Sequence, residues 1–183
     1  MIFSPTPAPE LLQSSAPLLL PVTFRLARLA DLAALHASCF PEDPFREFAA
    51  RYESALRLQD AGRLLHVLAH AGEPARPVAS GQVISYSDTV AEIADLIVTG
   101  ELRGQGLGTA LVRVLGALAA AAGAQQLELA VRIDNDRALA LYRRLGFRAS
   151  RMLRFPSGER AILLARPPWP QAGKEESHGA NTA

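Results

Sequence analysis

The stretch AEIADLIVTGELRGQGLGTALVRVLGALAAAA, residues 91–122, decides the fold. It opens as a short apolar run, passes through the loop Arg103-Gly104-Gln105-Gly106-Leu107-Gly108, and continues as a long apolar helix. Strand, glycine turn and helix in that order make a phosphate-binding layout. Backbone N–H groups at a helix start are unpaired and point outward, and the helix dipole adds partial positive charge there. Glycines at 104, 106 and 108 remove side chains that would hold a ligand away. Residues 103–109 are therefore expected to hold a phosphate or pyrophosphate. A plain surface turn is the competing reading, because a glycine run alone is a weak signal.

The totals bound the remaining choices. The 183 residues suffice for one domain with a full core. A formal net charge of +1 sets up no strong field toward nucleic acid or a membrane surface. Cys39 is the single cysteine, so no internal disulfide forms, which fits a reducing compartment. No Lys or Arg precedes Leu18-Leu19-Leu20, and Pro5, Pro7, Pro9, Pro17 and Pro21 interrupt the segment, unlike a signal peptide. No uninterrupted apolar run is long enough to span a bilayer. A cytoplasmic location is the expectation.

Residues 1–21 are rich in proline and small residues and read as a flexible arm. Val22 to Ala27 alternates enough for a first strand. Asp31 is placed to cap a helix carrying Leu32, Leu35 and Cys39, and Phe45 to Leu58 reads as a second helix. Leu64–Ala71 and Val78–Tyr86, separated by Gly72, Pro74 and Pro77, read as a hairpin. A fourth strand runs from Glu92 to Val98. Leu107, Ala110, Leu111, Val114, Leu115 and Leu118 then fall at helical spacing up to Gly123. Leu127–Val131 is a fifth strand, and Asn135 or Asp136 starts a helix through Arg144, with Gly146 following as a C-terminal signal. Phe147–Phe155 and Arg160–Arg166 close the domain, and residues 167–183 read as a mobile tail. One α/β domain over residues 22–166 follows, with a mixed sheet covered by helices.

The glycines fit some phosphate sites and not others. A dinucleotide fingerprint starting at Gly104 needs a third glycine at 109, where Thr109 stands, although Glu128 lies near the place of a ribose-binding acid. That fingerprint also sits on the first strand of its unit, whereas several elements precede this one. A P-loop needs a lysine after the last glycine, and there is none.

Arg103-x-x-Gly106-x-Gly108 resembles the [Gln/Arg]-x-x-Gly-x-[Gly/Ala] signature of the GNAT superfamily of N-acetyltransferases. A second block, Asn135-Asp136-Arg137-Ala138-Leu139-Ala140-Leu141-Tyr142-Arg143-Arg144-Leu145-Gly146-Phe147, resembles that family's Asn-x-x-Ala-x-x-Leu-Tyr-x-x-x-Gly-Phe pattern. The resemblance covers about Val22 to Arg166. It implies an α/β (α+β) GNAT fold: a mixed, mostly antiparallel sheet of six to seven strands flanked by about four helices. It also implies acetyl-CoA as co-substrate. The backbone of Leu96, Ile97 and Val98, on a strand that commonly bulges in the family, would pair with the pantetheine arm and polarise the thioester carbonyl. Gly104, Gln105, Gly106, Leu107, Gly108 and Thr109, with Arg103 beside them, would hold the pyrophosphate. Asn135 would bond the cofactor further along, and Tyr142 would protonate the departing thiolate. A phenol with an ordinary pKa near 10 is protonated at neutral pH and can donate there.

The second block is nearest to the enzymes that acetylate the N-terminal alanine of a ribosomal protein. Their fifth strand carries a glutamate base, and the alignment through Arg132 and Asn135 puts Ala130 at that place. Their tyrosine pair after Gly-Phe is replaced by Met152-Leu153-Arg154-Phe155. Both departures argue against that particular substrate. Glu92 and Glu128 are the acids that could substitute, and Glu92 ranks first. Glu42 and Asp43 border the region of the acceptor site, where a solvated loop is the simpler reading. His66 and His70 are four apart but on a strand, too far apart to share a metal, and no metal site is expected.

A lysine amine of pKa about 10.4 costs roughly 4 kcal/mol to deprotonate near pH 7.4, and an α-amine of pKa near 8 under about 1 kcal/mol. Without a well-placed base, an α-amine or a weakly basic small amine is the easier acceptor. The expectation is an acetyl-CoA-dependent N-acetyltransferase, its amine a protein N-terminus or a small molecule, attacking directly in a ternary complex. A catalytically silent acyl-CoA-binding module and a dinucleotide-binding oxidoreductase are the alternatives. Exposed strands near the C-terminus offer a surface for homodimer pairing.

Overall fold

The computed structural model describes residues 1–13, 18 and 20–169. Seven strands form one mixed sheet: β1 (Thr23–Leu26), β2 (Leu64–Ala71), β3 (Arg76–Ser85), β4 (Val90–Val98), β5 (Gln126–Arg132), β6 (Arg148–Arg154) and β7 (Arg160–Arg166). Their order is β1-β2-β3-β4-β5-β7-β6, antiparallel except between β4 and β5. The helices are α1 (Leu32–Cys39), α2 (Phe45–Asp60), α3 (Leu107–Ala121) and α4 (Asp136–Arg144). The parallel pair follows from the crossover helix α3, since a connection through a helix returns the chain in the same direction.

Two apolar clusters cover the two sheet faces. On one face α3 lays Leu107, Leu111, Val114, Leu115 and Leu118 on Val67, Val83, Ile93, Leu127 and Leu129, with Tyr142 and Leu145 packed in. α3 sits close: a Cβ on Gly81 of β3 would lie 2.9 Å from Leu115 Cδ1. On the other face α1 and α2 pack Leu35, Cys39, Phe48 and Tyr52 against Leu68. The period-2 alternation of β5, with Leu127, Leu129 and Val131 buried, divides that strand between the faces.

Asp31 is not the side-chain cap expected for α1. Its carboxylate accepts instead from Arg25 Nη1 at 2.8 Å and Nη2 at 2.5 Å, and from Arg28 N at 2.9 Å. His70 Nε2 sits 2.9 Å from Arg25 Nη2, so β1, β2 and the start of α1 share one polar knot.

The expected arm and tail meet the core where they are described. Phe3 is 1% exposed, and its N–H donates to Gly62 O at 2.7 Å. Ser85 Oγ donates to Met1 O. The proline content hid an apolar anchor. At the other end Trp169 stacks under the Arg166 guanidinium, 3.7 Å from ring centroid to Cζ, and edges onto Phe147. Its ring fills a notch at Gly116, where a Cβ would lie 2.6 Å from Cζ3. The rest of the expected tail lies outside the described residues.

Trp169 is the chain's one tryptophan and so reports on that notch. Gly116→Ala should expel the ring, shift tryptophan emission to the red, and lower stability by about 1–3 kcal/mol, as overpacking does. Fluorescence-monitored urea unfolding reads both; unchanged emission with unchanged stability would refute the docking.

Candidate functional site

The site begins where the parallel pair ends. β4 and β5 match over Val90↔Gln126, Ala91↔Leu127 and Glu92↔Glu128, and then part. On its other edge β4 stays paired with β3 but slips: Ala94 opposes Gln82 and Ile97 opposes Ser80, so Asp95 and Leu96 together oppose Gly81. This is a bulge, and Asp95 holds it with φ at 48°. The extra residue switches the face of everything after it. Ile93 packs beneath α3, whereas Ile97, four residues on, packs with the α1–α2 cluster. Among the described residues, backbone groups along the parted edge of β4 are left without a strand partner, and such groups need one.

The glycine loop closes one end of the parting. Gly104 and Gly106 have φ of 84° and 86°, a region that costs side-chain-bearing residues energy. Gly106 is the N-cap of α3, with no side chain capping it, and the first helical amide bond runs from Ala110 N to Gly106 O at 3.0 Å. The amides of residues 107–109 therefore point out of the helix start, toward whatever anion docks there. A Cβ on Gly108 would meet Leu141 Cδ2 at 3.5 Å, so α4 lies against the first turn of α3.

Between these elements is a cavity of about 640 Å³. Leu96, Ile97 and Val98, then Arg103, Gly104, Gly106, Gly108 and Thr109, then Asn135 and Tyr142 all line it. These candidates come from three separate segments and meet in one place. Three others do not line the cavity. Leu107 is 1% exposed and faces the core, so only its backbone could serve a ligand. Gln105 donates its side-chain amide to Glu101 O at 3.1 Å, which braces the loop. Glu92 sits one residue pair behind the parting.

Individual side chains have defined work. Arg103 donates through Nε to Val98 O at 3.1 Å, tying the loop to the end of β4. Asn135 Oδ1 accepts from Ala138 N at 3.1 Å as the α4 N-cap, which leaves its NH₂ free to donate. Tyr142 is 8% exposed and edge-on to Phe147, and burial pushes its phenol pKa up, so it is protonated throughout the neutral range. Ala94 and Ala130 put only methyl groups at the mouth of the parting. Behind them Glu92 and Glu128 stand side by side on the same face, about 7 Å further along their strands. Burial, then the neighbouring Glu128 and Asp95 carboxylates, raise the Glu92 pKa above the ordinary glutamate range.

His66 and His70 are both buried. His66 Nε2 lies 2.7 Å from Ser80 Oγ, and burial holds its pKa down to about 4, so it is neutral at pH 7. Among the described residues no group of three or more His, Cys, Asp or Glu side chains is arranged to hold a metal ion. Cys39 is free and buried.

Sequence reasoning missed the Asp95 bulge position and Arg137, which also lines the cavity. For Arg137 a signal was available: a basic side chain in the first turn of a helix opposes the dipole and calls for an anion.

The model of the acetyltransferase (GNAT) family matches residues 29–147. The chain belongs to the GNAT family. An N-alpha-acetyltransferase of Sulfurisphaera tokodaii is 35% identical over 78 residues, 41% of this chain and 47% of that protein. A thialysine N-epsilon-acetyltransferase of Bos taurus is 34% identical over 107 residues, 51% of this chain and 63% of that protein. The matched stretches thus span about half to under two thirds of those relatives' lengths. Solved GNAT structures share the fold at lower identity. The Escherichia coli ribosomal-protein-S18-alanine N-acetyltransferase aligns at TM-score 0.64 and 24% identity, over 85% of this chain and 99% of that one. The Vibrio cholerae spermidine N-acetyltransferase, solved with CoA and spermine, aligns at TM-score 0.66 and 18% identity, over 80% and 95%.

The raised Glu92 pKa has a thermodynamic sign. A carboxyl that binds its proton more tightly when folded loses stability as pH rises from the ordinary glutamate value, near 4.3, through the raised folded value. Glu92→Gln removes that loss. Urea unfolding at a series of pH values should show the variant gaining on the wild type across that window and holding the gain above it. A difference independent of pH would refute the shift.

Proposed function

We propose that this GNAT domain is an acetyl-CoA-dependent N-acetyltransferase acting on a primary amine, a protein N-terminus or a small molecule, by direct attack in a ternary complex. The observation that carries the reading is the parted β4–β5 edge opening onto the free amides of α3, with Tyr142 in the same cavity. A thin chain carrying amides and ending in a pyrophosphate fits this shape: an open strand edge for the first and a helix start for the second.

Residues 104–109 would hold the pyrophosphate, and the Asn135 amide would bond the cofactor further along. Amides of Leu96, Ile97 and Val98 would hold the pantetheine arm and polarise the acetyl carbonyl. The amine nitrogen then bonds to that carbonyl carbon as the C–S bond breaks. Tyr142 would give its proton to the departing sulfur. Glu92, with its raised pKa, would take the amine's proton through water across the gap left by Ala94 and Ala130. Holding both reactants in line supplies much of the rate. A base with a raised pKa works closer to neutral pH and widens the choice of amine beyond α-amines. The one cysteine, buried and unpaired, supports a cytoplasmic setting.

The distance of Glu92 from the cavity favours a second reading, an acyl-CoA-binding module without turnover. Calorimetric titration with acetyl-CoA, then thiol release against a pool of peptides and small amines, separates the two. The expected result is binding plus amine-dependent release. Tyr142→Phe should cut turnover about a hundredfold with little change in acetyl-CoA affinity. Binding with no release would move the reading to the silent module, and no binding would reject both.

A further inference from the structure

The α1–α2 cluster does not cover the whole of its sheet face. It reaches Ile97 of β4, and among the described residues it takes none from β5, β7 or β6. Directly paired residues share a face, so the register sets rows of side chains across that open part. One row is Glu92–Glu128–Ala165–Arg148, and the next is Ala130–Leu163–Arg151. Arg148 and Arg151 are three residues apart, and a regular strand would turn them to opposite faces. The bulge between Ala149 and Arg151, which takes up Ser150, brings both onto the open face. Arg154, paired with Arg160 on the same strand, is turned to the other face. Arg148 and Arg151 are exposed, and among the described residues neither takes part in an ion pair. A single exposed arginine is ordinarily a solvated side chain. These two stand together at the end of rows that begin at the site: Ala130 lines the cavity, and Glu92 and Glu128 lie just behind it. Two strand spacings, about 10 Å, separate the acidic end of this shelf from the basic end.

We infer that this face seats the acceptor as an extended protein N-terminus with an acidic side chain at its second or third residue. The amine lies toward the parting of β4 and β5, and the carboxylate lies on Arg148 and Arg151. The inference rests on the N-acetyltransferase reading above and names its substrate class. An extended chain rises about 3.3 Å per residue, so about 10 Å of shelf takes three residues. A planar guanidinium meets both oxygens of a carboxylate, which favours arginine for this contact. A polyamine would set its second cation against the two arginines. A second copy of the chain, pairing along β6, would set its own arginines against them.

Thiol release from acetyl-CoA by the full chain tests this. The probes are peptides with a common first residue and Asp, Ala or Lys at the next two positions, with spermidine as a polycation. The wild type should prefer the Asp peptide over the Ala peptide by about fivefold or more in kcat/KM, through KM, and the Lys peptide should be poorest. Exposed ion pairs are weak and screened, so the preference should shrink as salt rises. Replacing both arginines, Arg148→Ala with Arg151→Ala, should bring the Asp-to-Ala ratio to about one, and Arg151→Glu should turn the preference toward Lys. Arg154→Ala, on the other face, should keep the wild-type ratio. The replaced side chains are exposed, so all variants should keep the wild-type melting temperature. Turnover by the wild type with no preference among the peptides, or with spermidine preferred, would overturn this docking and leave the transferase reading standing. A dimer in sedimentation that Arg151→Glu dissociates would also overturn it, by giving the face to a second copy. Thiol release from no probe would overturn the inference together with the reading it rests on.

Discussion

The parting of β4 from β5 is the constraint on which the rest of the site depends. Three residue pairs join the strands, and beyond Glu92↔Glu128 the backbone of each has an edge with no strand partner among the described residues. A sheet interior does not ordinarily leave such groups unmet, since an orphaned buried amide costs roughly as much as a lost hydrogen bond. The fold keeps the strands apart all the same. β5 is held from its other side by six pairs with β7, from Leu127↔Arg166 to Arg132↔Ala161. β4 is held by β3 across the bulge. An opening in the middle of a seven-stranded sheet is therefore braced on both flanks, ready for an extended ligand to complete the hydrogen bonding.

The bulge couples this opening to the two cores. Because Asp95 adds a residue, Ile93 and Ile97 serve opposite faces, so one strand helps to build the α3 cluster first and the α1–α2 cluster next. The same kink turns the β4 backbone at the height of the cavity. The glycine loop is tied in through Arg103 to Val98 O, and α4 through the contact of Leu141 with α3. Strand edge, helix start and Tyr142 are thus fixed relative to one another by the core packing and do not depend on loop conformation.

Much of this was legible in the chain. The loop glycines and the apolar stripe after them disclose α3, and Asn135 followed by apolar spacing discloses the start of α4, where the side chain caps as expected. Interior elements fell within a few residues of their observed bounds because their apolar periods are strong. The family resemblance implied a bulge on this strand but not its position, since nothing in AEIADLIV marks Asp95 for a positive φ; the position arises from pairing with β3 across Gly81. Phe3 and Trp169 were also missed, because each is one apolar anchor in a stretch whose composition otherwise reads as loose. The Arg25–Asp31–His70 knot joins residues 45 positions apart and displaces the local cap that Asp31 suggests. Glu92 was named as a base from its place at the strand start, and only the register puts it beside Glu128 and one pair behind the opening.

Amide hydrogen exchange with and without acetyl-CoA tests the central claim most directly, since that claim concerns which backbone groups await a partner. Saturating acetyl-CoA should slow exchange in peptides covering Leu96–Val98 and Gly104–Thr109, and leave those covering β1, β2 and α2 unchanged. Protection elsewhere, with none at these two segments, would contradict the account.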